Sequence, residues 1–168
     1  MRVREWSVAL GRLLLPLNHP EHAVYGTVIT GAVLAAYSDP PVHLEDVLVN
    51  VPATVVIYWL AHVYAEGLVR AERGVPFSGR RLPATMRSQS GIIQSALAPM
   101  LVLLLAVLCG ATSTVALEIA VYFTVLLLGS FGVVGARRGG LRGRPLIVSA
   151  LLATFLGLIV VALKASVD

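Results

Sequence analysis

The chain has 168 residues, 57% of them apolar and only 13% charged, with a formal net charge of +4. A soluble domain is about 45–50% apolar and about 25% charged, and here the apolar excess is gathered in blocks, the pattern of membrane-spanning helices. A single cysteine, Cys109, excludes an intrachain disulfide, and no glycine-rich phosphate loop, CxxC pair or HExxH motif occurs.

Arg2 and Arg4 precede the stretch SVALGRLLLPL, as in a signal peptide, but Arg12 interrupts it and no small-x-small cleavage site follows closely. Residues 5–17 are expected to form an amphipathic helix in the membrane interface, with Trp6, Leu10, Leu13 and Leu14 toward lipid. A first span is expected over 20–38. Pro20 suits the first helical position and makes His19 the candidate N-cap. That span would be about 28 Å long, against a hydrocarbon core of about 30 Å. Further spans are expected over 45–69, 92–111, 115–135 and 146–164, the last opened by Pro145. Pro52 and Pro99 fall inside the second and third, where each removes a backbone hydrogen bond and favours a kink. The expected fold is therefore all-α: one polytopic membrane bundle of about five transmembrane helices plus the interfacial helix.

Charge orients this bundle. Arg2, Arg4 and Arg12 precede the first span, and Arg70, Arg73, Arg80, Arg81 and Arg87 lie between the second and third. Arg137, Arg138, Arg142 and Arg144 lie between the fourth and fifth, whereas residues 38–46 and 112–114 hold no Lys or Arg. Five crossings with the N-terminus inside leave only Lys164 on the outer side, as the positive-inside rule requires. The basic loops are suited to anionic lipid headgroups, at about 1 kcal/mol per charge, and nucleic acid is not an expected partner.

The second span is the informative one. Asn50, Thr54, Tyr58, His62, Glu66 and Arg70 follow one another at i, i+4. Each step drifts by about 40°, so Tyr58 to Arg70 keep within an arc of about 120°. Val56, Ile57, Leu60, Val63 and Leu68 are expected on the opposite, lipid-facing side, and Tyr64 also points away from the row. Ionisable groups in a bilayer cost about 2.5–3.5 kcal/mol each at mid-depth and usually face a partner or a cavity. In one reading Glu66 and Arg70 pair near the interface while His62 bonds a neighbouring helix, so the row only packs helices. In the other it forms a polar site in the cytoplasmic half of the bundle, made of His62, Glu66, Tyr58, His22, Asn50 and Arg70. The antiparallel course of the first two spans puts His19, Glu21 and His22 near the depth of His62 and Glu66. His19, His22, His62 and Glu66 are then the candidate ligands for a divalent metal, and the same groups suit proton relay. Glu118, placed in the first turn of the fourth span, is either a carboxylate favoured by the helix dipole, worth about 0.3–1 kcal/mol, or an outer gate.

Glu21-His-Ala-Val-Tyr-Gly-Thr-Val28 and Glu118-Ile-Ala-Val-Tyr-Phe-Thr-Val125 match at six of eight positions. Spans one and four would run in opposite directions, so a genuine repeat would be inverted, but the second and fifth spans do not continue it. Ala23, Thr27, Gly31 and Ala35 form a small-residue stripe, and Gly129, Gly132 and Gly135 form another; such stripes mark close helix contacts.

PEHAVYGTVITGAVLAA, YWLAHVYAE and a closing LIVVALK together resemble a group of small multi-pass membrane proteins encoded in actinobacteria. The resemblance spans most of the chain and implies a bacterial plasma-membrane location, with no catalytic content and no activity. Two function classes remain open. One is translocation or binding of a proton, cation or small solute, in a homo-oligomer if a pathway is needed. The other is a membrane scaffold or accessory subunit without a site. An enzyme is disfavoured and no cofactor is expected, since no nucleophile–base pair or cofactor fingerprint occurs, although His22 and His62 could together ligate a haem.

Overall fold

In the computed structural model, residues 20–37, 41–75 and 79–165 are described. Six α-helices account for nearly all of them, and no strand occurs among the described residues. They are α1 (Pro20–Ala36), α2 (Leu44–Glu72), α3 (Leu82–Ser88), α4 (Gly91–Leu108), α5 (Ser113–Arg138) and α6 (Arg144–Ala165). The proposed interfacial helix over 5–17 and the candidate cap His19 lie outside the described residues.

Start and stop signals explain most boundaries. Pro20 opens α1, and Thr112 caps α5 by accepting a 3.4 Å hydrogen bond from the Val115 amide. α2, α4 and α5 end alike, each with a glycine in left-handed conformation just past the C-cap: Gly74 (φ 77), Gly110 (φ 92) and Gly140 (φ 77). The amide after each glycine returns to the helix, Val75 to Arg70, Ala111 to Ala106 and Leu141 to Ala136, which satisfies carbonyls the helix end would strand. Pro52 and Pro99 both lie inside otherwise continuous helices.

Two departures from the expected elements matter. α3 was not anticipated: Pro83 near its start and Thr85 and Arg87 within it turn part of the long 70–91 connection into a short helix. The count of five spans is also not supported. Three helices, α2, α4 and α5, are long and apolar enough to cross a membrane. α1 has 17 residues; α6 runs over Arg144–Ala165, and its apolar stretch is established over Arg144–Ile159.

α1 sits at the middle of the arrangement, against α5, α4, α6 and, less extensively, α2, while α5 and α6 make the broadest contact. Its small-residue stripe is what allows this position. Ala23, Thr27, Gly31 and Ala35 are all buried. A Cβ added at Gly26 would collide with the Ser95 hydroxyl and the Ile92 carbonyl, so α1 and α4 meet backbone to backbone there. On α5, a Cβ at Gly132 would lie 2.6 Å from the Ala153 Cβ and one at Gly129 would lie 2.8 Å from Thr154 Oγ1, so these two glycines seat α6. The principal core joins Leu34 and Ala35 of α1, Val47 and Val51 of α2, Leu103 of α4, and Leu117, Ala120 and Val121 of α5.

The outward faces are apolar. On α2, Val49, Ile57, Leu60, Tyr64 and Leu68 are exposed, and on α6 so are Ile147, Leu151, Leu152, Phe155 and Leu158. A water-facing surface rarely carries apolar patches of this extent; a lipid-facing one does.

Candidate functional site

The buried face of α2 is formed by Val47, Val51, Val55, Val63 and Gly67, and the polar row runs beside it. Asn50, Thr54, Tyr58, His62, Glu66 and Arg70 are accordingly all half-buried. Val63, expected on the lipid side, is buried at 4% exposure because α2 turns its valine seam toward α1 and α4. Ile57, Leu60, Leu68 and Tyr64 are exposed, as the helical spacing requires.

His62 lies between two tyrosines. Its ring centroid is 4.5 Å from that of Tyr58, one turn earlier on α2, and 5.6 Å from that of Tyr25 on α1, both rings tilted at 46°. Tyr25 is three residues from His22, about 4.5 Å of helix axis, so the start of α1 and the last third of α2 share one level. His22 is half-buried there, with its Nδ1 buried.

Glu66 and Arg70 pair: the Arg70 Nε donates to the Glu66 Oε1 at 2.9 Å. The same guanidinium donates through Nη1 to Thr85 Oγ1 at 3.0 Å, and the Thr85 hydroxyl donates to the Arg81 carbonyl at 3.3 Å. Thr85 is buried at 6% exposure, so α3 is clamped against the end of α2 by a charge-assisted bond. The i+4 spacing of the polar row points to no residue of this network beyond Arg70. Thr85 is fifteen positions away along an arginine-rich connection, and neither periodicity nor spacing singles it out.

Two further groups at this end were also missed. The Trp59 Nε1 and the Gln89 Oε1 are buried and have no hydrogen-bond partner among the described residues. Trp59 packs on the cluster of Val55, Ile92 and Ala96 together with Tyr58, and Gln89 sits at the α3–α4 junction, its backbone carbonyl accepting from the Ile92 amide at 3.2 Å. A buried donor or acceptor left unmade costs about 1–3 kcal/mol, which makes such atoms natural contacts for a polar solute. Trp59 lies within the stretch YWLAHVYAE, next to Tyr58, and its indole N–H was the one available signal.

Asn50 is not brought into this group. It lies twelve residues from His62, about 18 Å along α2, at the end where Val47 and Val51 meet Leu34 and Leu117. Glu118 belongs to that far end as well. It is half-buried, and since α5 starts at Ser113 it lies beyond the first turn, where the helix dipole favours it little. Among the described residues, no group of three His, Cys, Asp or Glu side chains could hold a metal ion. Of the proposed ligands, His19 is outside the described residues, and Glu66 is engaged by Arg70.

The two similar eight-residue blocks share a burial pattern. Ala23 and Ala120 are both buried, Thr27 and Thr124 are both buried, and Tyr25 and Tyr122 are both exposed. The surroundings differ, however: α5 is packed extensively on α6, whereas α1 touches its successor α2 much less.

No described protein family, curated protein or solved structure matches the chain. The resemblance to small actinobacterial membrane proteins therefore has no counterpart in these comparisons, and the functional reading rests on the residues themselves.

Proposed function

We propose that the chain is an integral membrane protein that binds or translocates a proton, cation or small polar solute through the site between α1, α2 and the α3–α4 junction. Its centre is His62 with Tyr25 and Tyr58, flanked by Trp59, Gln89 and His22. The observation that carries this reading is the His62 imidazole set between Tyr25 and Tyr58, at the end of the bundle where Trp59 Nε1 and Gln89 Oε1 are buried without a hydrogen-bond partner among the described residues. Imidazole exchanges protons near neutral pH, and a lone donor and acceptor complement a small hydrogen-bonding solute. Glu66 and Arg70 form the rim in this reading, with Arg70 bracing α3.

In the same proposal all five long helices lie in the bilayer of a bacterial plasma membrane, with the N-terminus and the arginine-rich connections in the cytoplasm and the C-terminus outside. The exposed apolar faces of α2 and α6 support it, as does the central place of α1, which needs little lipid-facing surface. A homo-oligomer would complete a conducting path.

The alternative is a scaffold or accessory subunit whose polar residues only pack helices. The Glu66–Arg70–Thr85 brace favours it, because those side chains are already occupied. Flux in proteoliposomes separates the two. Trp59→Phe and Gln89→Leu remove the lone polar atoms while keeping most of the volume, and His62→Ala removes the imidazole. The transport reading expects proton or solute flux to fall about tenfold or more in each variant, with folding retained. Wild-type flux in all three, together with unchanged or raised thermal stability for Gln89→Leu, would leave only the packing role.

A further inference from the structure

Far from His62 in sequence, the connection between α5 and α6 forms a cleft of about 560 Å³, lined by Arg137, Leu141, Arg142, Gly143, Leu146 and Ile147. Its lining combines two guanidinium groups, no carboxylate and three large apolar side chains. Local structure explains the combination. The turn after α5 folds Leu141 back through its bond to the Ala136 carbonyl, and Gly143, with φ of 63, redirects the chain into α6. Arg137, in the last turn of α5, and Arg142, just before α6, thereby reach one cleft, with Leu146 and Ile147 as its apolar wall.

The apolar wall does not end at the cleft. Ile147 is 56% exposed, and the exposed surface continues along α6 through Val148, Leu151, Leu152 and Phe155. A free anion needs the arginines alone. A molecule with an anionic head and a hydrocarbon tail would use both the arginines and this continuous apolar strip.

We propose that this cleft is a binding site for one anionic phospholipid, its phosphate between Arg137 and Arg142 and an acyl chain along Leu146, Ile147 and Leu151. Guanidinium groups hold phosphate oxygens through paired N–H donors, which lysine replaces poorly. The site goes beyond a general attraction of basic loops to a charged leaflet, because it predicts retention of a lipid at one place. It rests on the reading that the chain lies in a membrane.

The test uses the full chain in nanodiscs of phosphatidylcholine doped with phosphatidylglycerol, followed by native mass spectrometry of the released protein. Wild type is expected to retain phosphatidylglycerol over phosphatidylcholine. The double variant Arg137→Gln/Arg142→Gln should lower that retention about tenfold, whereas Arg80→Gln/Arg81→Gln in the other basic connection should not. All four arginines are exposed, and an unchanged melting temperature in detergent checks that folding survives. Equal retention by wild type and the Arg137/Arg142 variant overturns the site, as does equal retention after Arg80/Arg81 exchange and Arg137/Arg142 exchange. Displacement of the lipid by inorganic phosphate at equal concentration overturns the lipid assignment in favour of a simple anion. A chain that remains dispersed in water without detergent overturns the membrane reading itself, and the lipid site with it.

Discussion

His62 has a ring on either side of it, one from its own helix and one from α1, so its environment depends on how closely α1 approaches α2. Where α1 sits is in turn set by its contact with α4, at single residues. Gly26 is the sharpest case, because a methyl group there meets the Ile92 backbone, which cannot rotate away as a side chain could. Gly26→Ala is expected to lower stability by about 1–3 kcal/mol, seen as a lower melting temperature in detergent. Gly79→Ala is the control: its Cβ meets nothing within 4 Å, and it should be close to neutral. At the same scale, Glu66 changes role. Its carboxylate is held by Arg70, so it serves the α2–α3 end more readily than it could serve a cation.

At the scale of elements, α2 stands apart. It is the longest helix, 29 residues, yet its contacts with α1 and α4 are slight compared with those joining α5 to α6. Its C-terminal end is held by the brace from Arg70 to Thr85. Arg70 and Glu66 are each more than a third exposed or close to it, so their ion pair contributes only about 0–1 kcal/mol. The bond to buried Thr85 has more effect locally, because it ties α3 to α2. Arg70→Ala should raise amide hydrogen exchange across residues 82–88 about tenfold while leaving α5 and α6 unchanged. Arg73→Ala, at the exposed cap of α2, should leave that exchange as it is. Equal protection in both variants would show that α3 is held by its apolar contacts instead.

For the whole molecule, the lone cysteine offers a direct probe of orientation. Cys109 is exposed at the turn joining α4 to α5, opposite in the chain to both arginine-rich connections. In the proposed topology, which puts the N-terminus in the cytoplasm, a membrane-impermeant maleimide added to intact cells should label Cys109 fully, and Cys109→Ser should abolish labelling. Labelling only after the membrane is opened would reverse the topology. The sequence by itself determined the helical class, since apolar blocks of about 20 residues bounded by glycine and proline are too long for single strands and suit helices. It also determined the i+4 polar row and the small-residue stripes, because helical periodicity follows from spacing alone. The tertiary structure alone decided the rest. It put Tyr25 against His62, Thr85 against Arg70, and Arg137 beside Arg142 in one cleft, and it turned Val63 inward. It also left Asn50 and Glu118 at the far end. Each of these depends on which helices meet and at what rotation, and that is set by close contacts such as Gly26 against Ile92, between residues far apart along the chain.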